Sequence, residues 1–563
     1  MSTAVDLIYP TIPVRTGMTR HIYAGTLIIV TLILSLPLFA VISSFLIPVP
    51  DIWHHLLETV LKEYVLNSLI LMLGVAGLTL VLGIIPAWLV TMCRFPLSRT
   101  LEWALLLPLA MPAYIIAYTY TGILDTSGPV QTLLRDFTGW QYGEYWFPEV
   151  RSIGGAITML SFVLYPYIYL ISRAAFIEQS ICALEVARTL GCGPYKTFFR
   201  VALPLARPAI IVGLSLVLME TLADYGTVQY FGIATFTTGI FRTWFGLGSS
   251  AAAAQLSALL MLFIAALIYL EYRSRKQQRY HHTSNRYSTL TQKRLRGKNA
   301  VFAGILCCLP ALLGFLVPVI FLIKWAWLTY GKIVDEQFLS LMWNSIMLAA
   351  SAAVIATVLA LFMAYGKRRI SNPFTRFAVN LSGMGYAIPG TVIAVGVMLP
   401  FAWVDKLIDG FFRTHFDYST GLLLSGTLVA VMFAYIARFL AVSLKTVDAG
   451  LAKIKPSMDE AGRSIGLKPS TLIRKVHMPM MRGSLLTAVL LVFVDVLKEL
   501  PATLILRPFN FNTLAIRAYE LANEERLADA ACPSLAIVLV AIVPVIYLSR
   551  SISMSRPGHD YSA

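Results

Sequence analysis

The chain has 563 residues, of which 58% are hydrophobic and 13% are charged, and its formal net charge is +16. This composition excludes an ordinary soluble globular protein and predicts a polytopic membrane protein. The positive charge requires no nucleic-acid partner, because the cytoplasmic loops of membrane proteins carry an excess of Lys and Arg beside anionic lipid.

Apolar stretches long enough to cross a hydrocarbon core of about 30 Å recur along the whole chain. They predict an all-α polytopic protein with about twelve transmembrane helices, six in each half. The predicted spans are 24–47, 64–92, 101–123, 152–172, 208–232, 251–271, 300–328, 339–366, 378–402, 421–443, 485–506 and 531–549. The first span lacks a small-residue cleavage site after a short apolar core, which favours a retained anchor in the bilayer over a signal peptide.

Basic segments alternate along the chain with segments in which acids equal or outnumber bases. The basic ones are Arg15 and Arg20, Arg94 and Arg99, Arg173 to Arg207, Arg273 to Lys298, Lys367 to Arg369, and Lys445 to Arg482. Because basic loops stay in the cytoplasm, both termini are predicted to be cytoplasmic. The polar, basic stretch 273–298 is interpreted as a cytoplasmic linker between two halves, 1–272 and 299–563.

The two halves repeat one another in register. Asn67 returns as Asn344 and Pro112 as Pro389, both 277 positions later. Further along the shift is 275 positions, as for Glu220 and Asp495, Asp224 and Glu499, Thr238 and Thr513, and Arg242 and Arg517. One unit has therefore been duplicated, and its even number of spans gives both copies the same orientation, related by an axis along the membrane normal.

One signature occurs in each half, in predicted cytoplasmic loops near 178–207 and 445–483. Each copy has an acid, small residues, a glycine six positions after the acid and a proline thirteen positions after the glycine. The residues are Glu185, Ala187, Gly191 and Pro204 in the first copy and Glu460, Gly462, Gly466 and Pro479 in the second. The identical spacing indicates a docking motif for another protein.

We expect each signature loop to be a short helix, a sharp bend and a second helix. Gly191 and Gly466 suit the left-handed position that ends a helix, and Pro194 and Pro469 suit the first turn of the next. The small apolar face at 461, 462 and 465 is predicted to dock in the partner's groove, while Glu460 pairs with a basic rim. The alternative is an amphipathic helix that rests on lipid headgroups, which the duplication makes less favoured.

The two loops resemble the Glu-Ala-Ala loop of permease subunits of binding-protein-dependent ABC importers, from the acid through the Gly to the Leu-Pro. The departures from that pattern are Val186, Gly462 and Met478, which are conservative in size. Within that superfamily, the fused double length and the segments 220–228 and 498–503 resemble the ferric-iron permeases. The resemblance implies a type I importer permease fold and transport by alternating access.

The chain has no G-x-x-x-x-G-K-[ST] phosphate loop, so ATP hydrolysis is expected on another subunit, and the chain is predicted to be a transport subunit without a cofactor rather than an enzyme. The resemblance implies two copies of a cytoplasmic ATPase, one on each signature loop. It also implies a periplasmic solute-binding protein on the opposite face and a location in the bacterial inner membrane.

Four acids fall within predicted spans. Glu220 and Asp224, four residues apart, are expected on one helical face, and Asp495 and Glu499 repeat the arrangement. Because carboxylates inside a bilayer usually face a partner, water or a pathway, the four predict a transient collar for a hard trivalent cation such as Fe³⁺. The alternative is structural: Lys498 neutralises part of the set and the outer acids reach the membrane interface.

Other interpretations remain open at this point. The same machinery serves other solutes, such as thiamine, a polyamine, an aminophosphonate or an oxyanion, although the intramembrane acids argue against anions. An ion-coupled secondary transporter or a membrane enzyme that uses the acids for proton transfer leaves the paired loops unexplained. Tyr114, Tyr118 and Tyr120 are interpreted as an interfacial aromatic belt rather than as metal ligands.

Overall fold

The computed structural model describes residues 18–178, 191, 193–276, 292–370, 372–467 and 469–554. Helices make up nearly all of the regular structure in this part of the chain. The helices of the first half are α1 (Met18–Leu34), α2 (Leu36–Ser43), α3 (Pro50–Thr59), α4 (Leu61–Met92), α5 (Ser98–Ala104), α6 (Ala113–Leu124), α7 (Pro129–Thr138), α8 (Ile153–Glu178), α9 (Pro194–Thr197), α10 (Leu203–Ala223), α11 (Gly226–Tyr230), α12 (Phe236–Phe241) and α13 (Ser250–Lys276).

The second half has a similar but not identical order. Its helices are α14 (Lys298–Ala311), α15 (Val317–Ile333), α16 (Glu336–Arg369), α17 (Pro373–Ser382), α18 (Gly390–Phe416), α19 (Leu428–Ala452), α20 (Pro456–Ser464), α21 (Pro469–Leu472), α22 (Met478–Met480), α23 (Arg482–Leu497), α24 (Pro501–Leu506), α25 (Leu514–Asn523) and α26 (Ala531–Met554). Short 3-10 or π-helical turns lie at Ser44–Leu46, Leu107–Ala110, Phe198–Ala202, Arg242–Gly246, Leu312–Leu316, Gly385–Ala387 and Ile473–His477.

Eight of the described helices are long and apolar enough to cross a membrane, or up to eleven if each bent pair of helices is one span. A shorter apolar helix over Ala531–Tyr547 lies where the twelfth span is predicted. The all-α polytopic architecture is confirmed, and its spans are less regular than hydropathy predicts. Pro37 follows the 47° bend after α1 and Pro112 lies at the 94° bend before α6, because proline lacks the N–H that would continue a helix.

The two halves interlock through the first helices of the chain. The Tyr23 hydroxyl donates to the Phe362 carbonyl at 2.6 Å, and Ser382 donates to Thr31 at 3.2 Å, so that α1 packs on α16 and α17. Helix α2 packs against α18, where a Cβ added at Gly396 would clash with the carbonyl oxygen of Pro37. The first span of one repeat therefore covers the other repeat.

Small residues bring the helices of the second half close together. Helix α16 carries a stripe of alanines that packs against α19 and α23. Ala349, Ala353, Ala356 and Ala360 are fully buried at spacings of three or four residues. Such spacing places them on one helix face, where a small side chain lets neighbouring backbones approach, as is common between helices in membranes.

The described end of the linker is tied to the first half. Strand β1 (Cys93–Arg94) pairs in parallel with β2 (Lys293–Arg294), with Cys93 opposite Lys293. The Gln292 side chain also donates to the Thr91 carbonyl at 3.1 Å. The basic segment therefore returns alongside the end of α4 before α14 begins.

Candidate functional site

One cavity between the halves collects all four predicted acids. It has a volume of about 120 Å³. Glu220 and Asp224 reach it from the first half, and Asp495 and Glu499 reach it from the second. Two basic residues, Arg438 and Lys498, and four tyrosines, Tyr114, Tyr167, Tyr225 and Tyr386, also line it. The structure thus brings the two pseudo-symmetric acid pairs together, as the sequence predicts.

The prediction that each acid pair shares one continuous helix face is wrong. Helix α10 ends at Ala223, and Asp224 is in an extended conformation with ψ of 132°. Its carboxylate accepts hydrogen bonds from the backbone N–H groups of Thr227 and Val228, both at 3.1 Å, and from the Thr227 hydroxyl at 3.0 Å. The acid therefore caps the short helix α11 and favours the break, since its side chain satisfies N–H groups that begin a new helix.

Glu499 caps the short helix α24 in the second half, as Asp224 caps α11 in the first. Helix α23 ends at Leu497, and the Glu499 carboxylate accepts from the N–H groups of Ala502 at 3.0 Å and Thr503 at 3.1 Å. The Thr503 hydroxyl adds a hydrogen bond at 2.8 Å. Because 224 and 499 differ by the repeat shift, the capped break is a duplicated feature of the fold.

Both basic residues of the cavity form ion pairs with acids of the second half. Arg438 Nη1 lies 2.9 Å from Glu499, and Lys498 Nζ lies 2.9 Å from Asp495. The alternative that Lys498 neutralises part of the set is thus confirmed for Asp495. Sequence reasoning missed Arg438, although an arginine within the apolar stretch 421–443 is itself a signal, because a charge inside a bilayer needs a partner.

Among the described residues, the first half contributes no Lys or Arg to the lining of the cavity. The repeat shift of 275 places Val163 opposite Arg438 and Ala223 opposite Lys498. Glu220 makes no hydrogen bond or ion pair with any residue that the structure describes. Four carboxylates against two basic groups give the cavity lining a formal charge of −2.

The tyrosines are not a lipid-facing belt. Tyr114, Tyr118 and Tyr120 are all buried within the protein, which corrects the interfacial interpretation. The hydroxyl of Tyr114 has no hydrogen-bond partner among the described residues, and this side chain lines the cavity. Across the same cavity the hydroxyls of Tyr167 and Tyr386, one from each half, lie 3.5 Å apart.

No three His, Cys, Asp or Glu side chains lie close enough to hold a metal ion together in the described parts of the chain. The four acids therefore do not form a closed coordination shell in this conformation. Their role as a transient path remains a prediction.

The bends of both signature loops have the predicted geometry. Gly191 and Gly466 each have φ of +77°, the left-handed region that favours glycine, and helices α9 and α21 begin at Pro194 and Pro469. In the second loop α20 precedes the bend, which confirms the helix, bend and helix order there. Glu185 and Ala187 lie outside the described residues.

One predicted docking residue faces inward. Gly462 is buried, and a Cβ there would lie 2.6 Å from Cδ1 of Leu472, so this glycine lets α20 pack on α21. Glu460, Ala461 and Ile465 are exposed. The expectation that 461, 462 and 465 form one outward face is corrected accordingly. Pro204 and Pro479 are both exposed, at the beginnings of α10 and α22.

A buried polar cluster holds the second loop and was missed by sequence reasoning. Asp459 of α20 lies 2.6 Å from His477 Nε2 and accepts from Arg368 Nε at 2.9 Å. Arg368, near the end of α16, also donates to the carbonyls of Leu451 at 2.6 Å and Ile454 at 2.9 Å. The loop helix is thus fastened to a long helix of the membrane domain.

Two helical repeats around one charged cavity place the chain in the class of duplicated membrane permeases. Comparison with known proteins agrees with this class. The family model described as "binding-protein-dependent transport system inner membrane component" matches residues 79–277 and again 356–557. The chain belongs to this family.

Several named relatives are similar to the chain. The Fe(3+)-transport system permease protein FbpB 2 of Haemophilus influenzae is 26% identical over 497 residues, which cover 87% of this chain and 90% of the relative. The ferric transport system permease protein FbpB of Actinobacillus pleuropneumoniae is 24% identical over 78% of this chain, which spans 64% of that relative. The molybdenum transport system permease protein ModB of Escherichia coli K12 is 30% identical over 149 residues, 26% of this chain and 62% of the relative.

Proposed function

We propose that this chain is the membrane-spanning permease subunit of an ATP-driven importer that moves ferric iron from the periplasm to the cytoplasm. The observation that carries the cargo assignment is the cavity between the halves, whose lining has a formal charge of −2 and presents oxygen ligands. Hard oxygen donors suit a hard trivalent cation. Relatives that span most of the chain are named for Fe(3+) or ferric transport.

The partners follow from the family and the loops. Two copies of a separate cytoplasmic ATPase bind the two signature loops, and a periplasmic solute-binding protein docks on the periplasmic face. The chain lies in the bacterial inner membrane. Both termini and both signature loops lie in the cytoplasm, because they carry the basic segments and basic loops of membrane proteins stay on that side. Glu185, Ala187, Gly191 and Pro204 couple one ATPase copy, and Glu460, Gly462, Gly466 and Pro479 couple the other.

Motion of the loops reaches the cavity through two helices. Helix α10 has 21 residues between the first loop and Asp224, which at about 1.5 Å per residue spans roughly 31 Å. Helix α23 links the second loop to Lys498 and Glu499, after a 79° bend between Met480 and Arg482. When ATP closes the ATPase dimer, the loops move together and the two halves rock about the cavity.

An ion pair joins the halves at the end away from the loops. Arg151, at the opposite end of α8 from the first loop, lies 2.8 Å from Glu525 of the second half. Its guanidinium also donates to the Tyr230 hydroxyl at 3.3 Å. Opening toward the binding protein requires these contacts to separate, which fits alternating access around the cavity.

The test is ATP-dependent uptake of ⁵⁵Fe³⁺ into proteoliposomes that contain the full chain, its ATPase and its binding protein. Labelled thiamine and molybdate are offered in parallel, since relatives named for molybdenum transport match part of the chain. Iron uptake that disappears without ATP supports the proposal. ATP-driven uptake of another solute without iron would overturn the cargo, and uptake driven by an ion gradient without the ATPase would overturn the importer.

A further inference from the structure

The two acid pairs of the cavity differ in what neutralises them. Glu499 is held by Arg438 and by three hydrogen bonds from Ala502 and Thr503, and its side chain is only 1% exposed. Asp224 is satisfied by the start of α11. Glu220 has no such partner among the described residues, and Asp495 depends on Lys498. The exchangeable charges of the cavity are therefore Glu220, Asp495 and Lys498.

Lys498 is built differently from Arg438. The Arg438 side chain is 9% exposed, whereas that of Lys498 is 25% exposed, and both line the cavity. An ammonium on a flexible stem changes partners more readily than a planar guanidinium, which binds in a fixed fork geometry. Lys498 also follows the last residue of α23, where the helix gives way to the break before α24.

Resting on the proposed function, we propose that Lys498 is a tethered counter-cation that competes with the cargo for the carboxylates of Asp495 and Glu220 and so sets the permease's preference for highly charged cations. A monovalent ion offers Asp495 no more charge than the ammonium that is already in contact with it. A trivalent cation carries three times the charge of the ammonium. The Coulomb energy of two ions at a given distance is proportional to the product of their charges, so the trivalent cation attracts the Asp495 carboxylate more strongly. Only the latter displaces Lys498.

A second observation points to a ligand in the same cavity. The Tyr114 hydroxyl is buried and lacks a hydrogen-bond partner among the described residues, although buried polar groups are normally paired. Its side chain lines the cavity together with Glu220, Asp495 and Lys498. A cation that brings bound water supplies the missing partner to this hydroxyl.

The test measures cation binding by the purified full chain and needs neither ATPase nor transport. The probe is Tb³⁺, a hard trivalent ion whose luminescence is sensitised by nearby tyrosines such as Tyr114, Tyr167 and Tyr386. Removing the competing charge with Lys498→Met should lower the Kd for Tb³⁺ by about tenfold or more. The reason is that the Coulomb energy of a unit charge a few ångströms away, at protein dielectric constants, exceeds the free energy of a tenfold change in Kd. Ca²⁺ should also become an effective competitor in this variant.

Three further variants make the result decisive. Lys498→Arg keeps the charge and should bind Tb³⁺ no more tightly than the wild type, and Lys498→Gln should behave as Lys498→Met if the methionine variant does not fold. Adding Glu220→Gln to Lys498→Met should remove the gain, which separates the cavity from surface acids that bind Tb³⁺. An unchanged or higher Kd in both charge-removing variants overturns the proposal.

The outcome is independent of the cargo assignment. If wild-type proteoliposomes import no iron but Lys498→Met still binds Tb³⁺ more tightly, the counter-cation role stands and the proposed cargo fails. If iron is imported normally and the variants bind Tb³⁺ as the wild type does, the cargo stands and the role of Lys498 fails.

Discussion

Asp459 and His477 meet at 2.6 Å within the second signature loop, and both are buried. Arg368 completes the cluster through its contact with Asp459 at 2.9 Å. Under the repeat shifts the corresponding residues of the first half are Leu184, Ala202 and Thr91, which cannot form the same contacts. This set of three polar residues therefore occurs in the second half alone.

Replacing Asp459 with Asn should weaken coupling between the loop and the membrane domain. The change leaves Arg368 and His477 without a carboxylate, and breaking a buried pair typically costs about 3–5 kcal/mol, less here because the Arg368 side chain is 21% exposed. Thermal unfolding in detergent should begin at a lower temperature, and solute moved per ATP hydrolysed should fall.

The first half supplies the control for this prediction. The triple variant Arg368→Thr, Asp459→Leu and His477→Ala carries the residues found there and leaves no orphaned charge. It loses the hydrogen bonds from Arg368 to the Leu451 and Ile454 carbonyls, so it should regain part of the unfolding temperature that Asp459→Asn loses. A triple variant that is no more stable than the single one would show that the cluster is not the cause of the loss.

Gly191 and Gly193 provide a matched pair in the first loop. Gly191 has φ of +77°, whereas Gly193 does not lie in the left-handed region, and a Cβ would meet open space at both. Gly191→Val should strain the bend by about 1–2 kcal/mol or shift it, and uptake should fall while membrane insertion persists. Gly193→Val should leave uptake near wild type. Equal uptake by the two variants would contradict a coupling role for the bend.

Removing the charge of Arg438 alone should destabilise the folded protein more than removing the charges of both Arg438 and Glu499. Arg438→Val, which introduces the residue found at 163, leaves Glu499 buried without its cation, at a cost of about 3–5 kcal/mol. Arg438→Val with Glu499→Gln should unfold at a higher temperature than the single variant, because no uncompensated charge remains. Additive losses in the double variant would argue against the pairing seen between these side chains.

Gly390 tests the packing around the same pair. A Cβ at this position would lie 2.5 Å from Glu499 Oε1 and 2.7 Å from Arg438 Nη1, so Gly390→Ala should displace the ion pair and lower the unfolding temperature. Gly410 lies in the same helix α18 with nothing within 4 Å of its added Cβ. Gly410→Ala should therefore be neutral or stabilising, since alanine favours helices by about 1 kcal/mol over glycine. The prediction fails if the two alanine variants unfold alike.

Much of the architecture was predictable because its signals are local or repeated. The left-handed bends at Gly191 and Gly466 follow from a glycine before a proline restart, and the gathering of Glu220 with Asp495 follows from the cost of burying acids in a bilayer. The helix break at Glu499 had a local signal in Pro501, since proline cannot continue a helix, and Gly226 was a weaker signal beside Asp224, but hydropathy registers neither break. The partner of Arg438 and the burial of Tyr114 depend on contacts between distant spans.

The most direct test of the proposed pathway is the initial rate of ATP-dependent ⁵⁵Fe³⁺ uptake by Glu220→Gln, measured beside its ATPase activity. Glu220 lines the cavity without a partner among the described residues, so the amide should not destabilise the fold, and Asp136→Asn on the exposed surface is the matched control. We predict that Glu220→Gln loses most of its iron uptake while it still assembles with the ATPase, and that Asp136→Asn retains its uptake. Wild-type uptake by Glu220→Gln would remove this acid from the pathway and contradict the assignment of the cavity as the route for iron.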